Sequence, residues 1–190
     1  MQIKTFEKAL PPQYKEIAHI RFDEMKTGFW YDLKAIIPGI VLSVLGWIVV
    51  KPTLIQTLMS LGIFVAAAYP YFGLHEFVHG IVVKMMTKQR VEIGFNKSGA
   101  YCGMPDIYMY RKVAVKCTSA PLIVFSVLFG LSAIILIVID HWSFFSLGLL
   151  VTLHLLGCRS DVNLLNELKK YKSELLLVKD TGREQWFYDE

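Results

Sequence analysis

The residues best suited to chemistry stand in one short run, His75-Glu76-Phe77-Val78-His79. Histidines four positions apart project from the same face of a helix, so two imidazoles can grip one divalent ion. The glutamate after the first histidine then reaches a water activated by that ion and serves as general base. Zinc suits such a pair: it takes imidazole nitrogens at about 2.0 to 2.1 Å, lowers the pKa of water towards roughly 7 and polarises a carbonyl. That combination hydrolyses an amide without a covalent intermediate. With 5 His in 190 residues, chance produces H-E-x-x-H in about 0.6% of such chains, so the pattern carries weight by itself.

Its surroundings add to that weight. From Thr53 to Val83 the only formal charge is Glu76. An ionised side chain at the centre of a membrane helix costs roughly 2.5 to 3.5 kcal/mol, so two histidines and a glutamate in an apolar run need a reason to persist. The bland alternative is an interfacial polar patch, or imidazoles bonded between helices. A hydrolytic zinc site also needs a third protein ligand and an open fourth position. Two residues on later elements qualify. Asp161 directly follows the last apolar run, at a level that fits His75 and His79, and is the favoured ligand; its alternative role is an N-terminal charge for the next helix. His154 lies seven residues earlier, about 10 Å deeper on a continuous helix. It is the weaker alternative, better suited to a hydrogen bond between helices or to supporting a ligand.

The elements that must position these groups are apolar. The composition is 54% hydrophobic and 19% charged, with a mean hydropathy of +0.45. Soluble domains carry about 25% charged residues, so this balance excludes an ordinary soluble protein, a disordered chain and a disulfide scaffold alike. The three cysteines, Cys102, Cys117 and Cys158, are odd in number and read as free thiols. Four spans are expected, at about 33–50, 53–86, 117–139 and 142–158. The second is too long to cross a bilayer upright and must tilt, protrude or break, with Pro70 and Gly73 marking the natural break. A tight turn at Asp140-His141 makes the last two spans an antiparallel pair, and the fourth runs on into an amphipathic helix to about Tyr171. Of the 20 Lys and Arg residues, all but Lys51 fall on the side of the termini, which the positive-inside rule makes cytoplasmic. The net charge of +4 is thus a topology signal and argues against a nucleic-acid partner.

Outside the spans, Val91–Phe95 and Ala100–Cys102 flank the turn 96–99 and read as a hairpin. A second possible hairpin runs from Leu175–Val178 through Asp180-Thr181-Gly182 to Trp186–Tyr188. Pro12–Met25 reads as a short amphipathic helix near the headgroups, within a cytoplasmic or interfacial segment 1–28; residues 159–190 form a cytoplasmic tail. The expected fold class is an all-α membrane protein, one domain over 1–190, with about four transmembrane helices and a small cytoplasmic β-hairpin element.

The chain resembles the bacterial zincin-peptidase family of multi-pass membrane proteins, which is similar in arrangement to site-2-type intramembrane metalloproteases. The carriers are His75-Glu76-Phe77-Val78-His79-Gly80, Gly99-Ala100-Tyr101-Cys102, Tyr110-Arg111 with Ala120-Pro121, His154-Leu155-Leu156-Gly157-Cys158 leading to Asp161, and Lys179-Asp180-Thr181-Gly182 with Phe187-Tyr188. The resemblance implies that His75, His79 and Asp161 bind Zn²⁺ and that Glu76 is the general base. It further implies that the first hairpin holds an unwound substrate by strand addition. The expected function is an intramembrane zinc metalloprotease of the bacterial cytoplasmic membrane, cutting a membrane-anchored protein or peptide near the cytoplasmic face. The competing class is a non-enzymatic membrane scaffold or regulatory protein with a degenerate or structural metal site. Loss of zinc on replacing Asp161 discriminates the two.

Overall fold

The computed structural model describes residues 4–22, 29–96, 99–139 and 141–190. In chain order the elements are β1 (Phe6–Glu7), β2 (Lys15–Arg21), α1 (Phe29–Val50), α2 (Leu54–Thr87), β3 (Glu92–Asn96), β4 (Gly99–Tyr110), α3 (Arg111–Val138), α4 (Phe144–Gly157), α5 (Arg159–Lys170), β5 (Leu177–Asp180) and β6 (Glu184–Asp189). Helices α1, α2 and α3 are each long and apolar enough to cross a membrane. The pair α4 and α5, bent by 40°, qualifies as a fourth if taken together.

Several expectations are corrected. The chain is mostly helical but not all-α, because the strands form a six-stranded antiparallel sheet. Its order is β1-β4-β5-β6-β2, with β3 pairing β4. The amphipathic helix expected over Pro12–Met25 is instead the strand β2, as far as that stretch is described. Its residues 15–21 pair with β6, for example His19 with Trp186, and exposure alternates over 17–21. That period of two, with one face half-buried, is a strand's and not the 3.6 of a helix. Helix α2 does not break at Pro70: it runs on through Gly73 for 34 residues, about 51 Å. Proline removes a single backbone donor, and Pro70 has an exposed flank for its ring. Conversely, the helix expected to be continuous from the fourth apolar run to Tyr171 bends at Cys158. The third helix begins at Arg111, six residues before its uncharged stretch.

Both hairpins are present. Residues 97 and 98 of the first turn lie outside the described residues, as does Asp140 of the turn between α3 and α4. Strand β4 is much longer than expected: its start pairs with β3, and its continuation pairs with β5 and β1. The irregular register between Met104 and Met109 coincides with Pro105, which has no N–H for the ladder.

The chain divides into two compact units. One comprises Met1–Lys26, Gly73–Ala120 and Ser160–Glu190 and contains the whole sheet. Its core has two clusters. Val83, Met104, Ile107, Met109, Val113 and Cys117 form one; Ala114, Leu164, Leu168, Leu176, Val178 and Phe187 form the other. The second unit comprises Thr27–Phe72 and Pro121–Arg159. There α1 and α4 meet through small residues. A Cβ on Gly148 would lie 2.1 Å from Ser43 Oγ, and one on Gly39 would lie 1.8 Å from Thr152 Oγ1. This close backbone approach is the packing mode of helices that associate without help from water.

Candidate metal centre

Every residue of the centre belongs to the first unit. On α2, His75, His79 and Val83 recur every four positions and share one face; Val83 is fully buried at the end of that row. On α5, Asp161 shares a face with Leu164 and Leu168, whose side chains are built into the core, so the carboxylate is carried inward with them. The two faces bring three ligand-bearing side chains together. His75 Nε2 lies 3.1 Å from Asp161 Oδ2, and His79 Nε2 lies 3.4 Å from Asp161 Oδ1. The rings of His75 and His79 meet edge to face, with centroids 5.1 Å apart.

This donor set fits zinc. Ligands at about 2.0 to 2.1 Å in a tetrahedron stand about 3.3 to 3.4 Å from one another, close to the two separations observed. One ligand atom from each of the three residues falls within 4.8 Å of the others. The far nitrogen of His79 supports the fit: Nδ1–H donates to the backbone carbonyl of Cys117 on α3, at 2.8 Å. A histidine whose Nδ1 carries the proton presents an Nε2 lone pair, and such a carbonyl partner also fixes the ring's orientation.

Glu76, one position after His75, lines a cavity of about 810 Å³ together with His79 and Asp161. Space of that size accommodates a peptide segment. Gly80 lets the first hairpin come close to this helix, since a Cβ there would lie 2.9 Å from Ile93 Cδ1 and 3.7 Å from Cys102 Sγ. Cys102 also lines the cavity, where burial pushes its thiol well above the ordinary value, and among the described residues it joins no cluster of ligand atoms.

His154 belongs to the second unit. Its Nδ1 bonds Tyr71 Oη at 2.7 Å and its Nε2 lies 3.3 Å from Ser126 Oγ. The rings of Phe125, Phe129 and Tyr71 surround it. Through these bonds the imidazole of α4 meets Tyr71 on α2 and Ser126 on α3.

Asp180 and Gln185 also line the cavity, and the residues themselves assign them no role. Asp180 ends β5 and accepts hydrogen bonds from the Gly182 N–H and from Gln185 Nε2. Burial pushes its carboxyl up to about 6, against the opposing effect of those two bonds. The only local signal was the turn Asp180-Thr181-Gly182, where Gly182 adopts φ +75°.

No curated protein and no solved structure matches this chain. A family model does, over residues 68–176. That stretch carries both halves of the ligand cluster, the histidines of α2 and the aspartate of α5. Since it covers more than half of the sequence, the chain belongs to the family described as "Putative zincin peptidase".

Proposed function

We propose that this protein is an intramembrane zinc endopeptidase, similar in arrangement to site-2 proteases, which cuts a membrane-anchored peptide near the cytoplasmic face. The observation that carries the proposal is the convergence of His75, His79 and Asp161, the last two lining one cavity with Glu76. Family membership supports the peptidase chemistry, and the zincin description implies zinc. The membrane setting is supported by apolar side chains that face outward along the long helices: Leu54 is 76% exposed, Val65 69% and Val138 77%. In water that much apolar surface would drive aggregation, whereas lipid covers it without cost. With the basic residues on the side of the termini, both termini are cytoplasmic.

In this mechanism His75, His79 and Asp161 hold the ion. Zinc bound there supplies Lewis acidity, acidifying a water and polarising the scissile carbonyl. Glu76 accepts the proton of the attacking water on its carboxylate and delivers it to the departing amine nitrogen. Peptide bonds within a helix are shielded, so the substrate must be extended first. Strand addition to β3, whose only strand partner among the described residues is β4, provides that extension.

The test joins metal content to proteolysis. Purified protein should hold about one zinc per chain. Glu76→Gln should keep the metal while losing cleavage of a membrane-anchored reporter. Protein with the wild-type fold but no zinc, and a Glu76→Gln variant that behaves like wild type, would sink the proposal.

A further inference from the structure

The cavity wall formed by β5 and β6 is short of hydrogen-bond donors. Asp180 and Gln185 are register partners across these strands. The carboxylate of Asp180 takes the Gly182 N–H at 2.7 Å and the Gln185 amide N–H. Among the described residues no lysine or arginine forms an ion pair with it. The two arginines of the same lining are engaged elsewhere: Arg21 Nε lies 3.9 Å from Glu184 Oε1, and Arg183 stacks over the Tyr101 ring at 5.5 Å. Gln185 is 2% exposed, and its amide oxygen is buried without any hydrogen-bond partner. The negative carboxylate selects the NH₂ end of the amide, which leaves the oxygen as the orphan. A lone buried acceptor beside a carboxylate that no lysine or arginine pairs is costly unless a ligand supplies the missing donors.

The wall itself is rigidly placed. A Cβ on Gly103 would lie 2.4 Å from the carbonyl carbon of Thr181, so β4 and the turn touch backbone to backbone. Thr181 closes the turn, its N–H donating to the Glu184 carbonyl at 3.1 Å.

We infer that Asp180 and Gln185 form a subsite for a basic side chain of the substrate, the carboxylate taking its charge and the Gln185 oxygen one further N–H. An arginine guanidinium carries five donors in a fixed fork and meets both needs at once. This inference rests on the endopeptidase reading, of which it names the substrate class.

The test uses full-length protein in nanodiscs with Glu76→Gln, so that nothing is cleaved during binding. The probes are a fluorescent decapeptide of Ala and Leu with one central arginine, and its twin with citrulline, which keeps the shape and loses the charge. The arginine peptide should bind about tenfold more tightly. Adding Asp180→Asn should bring the ratio close to one, and Gln185→Leu should lower it several-fold. Equal affinities for the two peptides, or a ratio that survives both substitutions, would overturn the subsite. Retained zinc in each variant shows that the cavity is intact, and Gln185→Leu decides the matter if Asp180→Asn fails to fold. The two proposals fail separately: an arginine preference without any cleavage by wild type defeats the endopeptidase, and cleavage without the preference defeats the subsite.

Discussion

Two settings for buried histidine coexist in this chain. In the second unit, His154 sits among aromatic rings, with the neutral groups Tyr71 Oη, Ser126 Oγ and Cys158 Sγ beside its nitrogens. In the first, His75 and His79 turn their Nε2 atoms onto one carboxylate. All three residues stand on apolar helices, and His75 and His154 are buried alike, at 6% and 1% exposure. The partner therefore decides the role. Hydroxyls satisfy an imidazole and fasten helices together, while a carboxylate adds the charge and the lone pairs that a divalent cation requires.

The largest effect that would break this contrast is loss of metal. Asp161→Ala should cut zinc affinity by more than a hundredfold, because it removes a ligand and not merely a supporting bond, which by itself is worth about 10- to 100-fold. His154→Phe should leave zinc at one per chain. If metal analysis found the reverse, with His154→Phe emptying the site and Asp161→Ala leaving it filled, the two histidine settings would have been assigned the wrong way round.

The next effect is on stability. His154→Phe removes the imidazole that bonds the Tyr71 and Ser126 hydroxyls, and should cost about 1 to 3 kcal/mol. Denaturant unfolding in detergent measures it.

Glycine contacts sharpen the same comparison in terms of backbone. Gly148→Ala should destabilise the contact between α1 and α4 by about 1 to 3 kcal/mol, with zinc content unchanged. Gly103→Ala presses on the Thr181 carbonyl carbon at the cavity wall, with a similar cost in stability. It should also lower peptide cleavage more than Gly148→Ala does at matched zinc occupancy.

What could be read from the sequence follows from how locally each feature is determined. His75, Glu76 and His79 were legible because one helical turn sets their spacing. Asp161 was legible because the end of an apolar run and the following amphipathic stripe of Leu164 and Leu168 fix its depth and face. Strand β2 was not, since its partner β6 lies some 165 residues away, as the pair of His19 with Glu184 shows. Asp180 and Gln185 escaped for the same reason: their place in the cavity depends on how β5 and β6 pair with β4, and no local pattern encodes that. The persistence of α2 through Pro70 could not be foreseen either, because a proline that breaks a helix and one that merely costs it a hydrogen bond look alike in sequence.

The smallest effect is expected at Glu7, which has one partner of each kind, Tyr110 Oη and the Lys4 ammonium. Burial by itself would raise its carboxyl. The hydrogen bonds from Lys4 and Tyr110 outweigh burial and hold it below the ordinary 4.5. A carboxyl whose folded pKa is lowered stabilises the fold above its unfolded value, and that contribution disappears as pH falls through the folded value. Unfolding free energy should therefore drop as the solution is acidified from about pH 5, and Glu7→Gln should flatten that part of the profile. The amount should stay under about 1 kcal/mol, because Lys4 is largely exposed and water screens its charge. Lys4→Gln and Tyr110→Phe should each remove part of the slope, since both side chains bond the same carboxylate and hold it ionised.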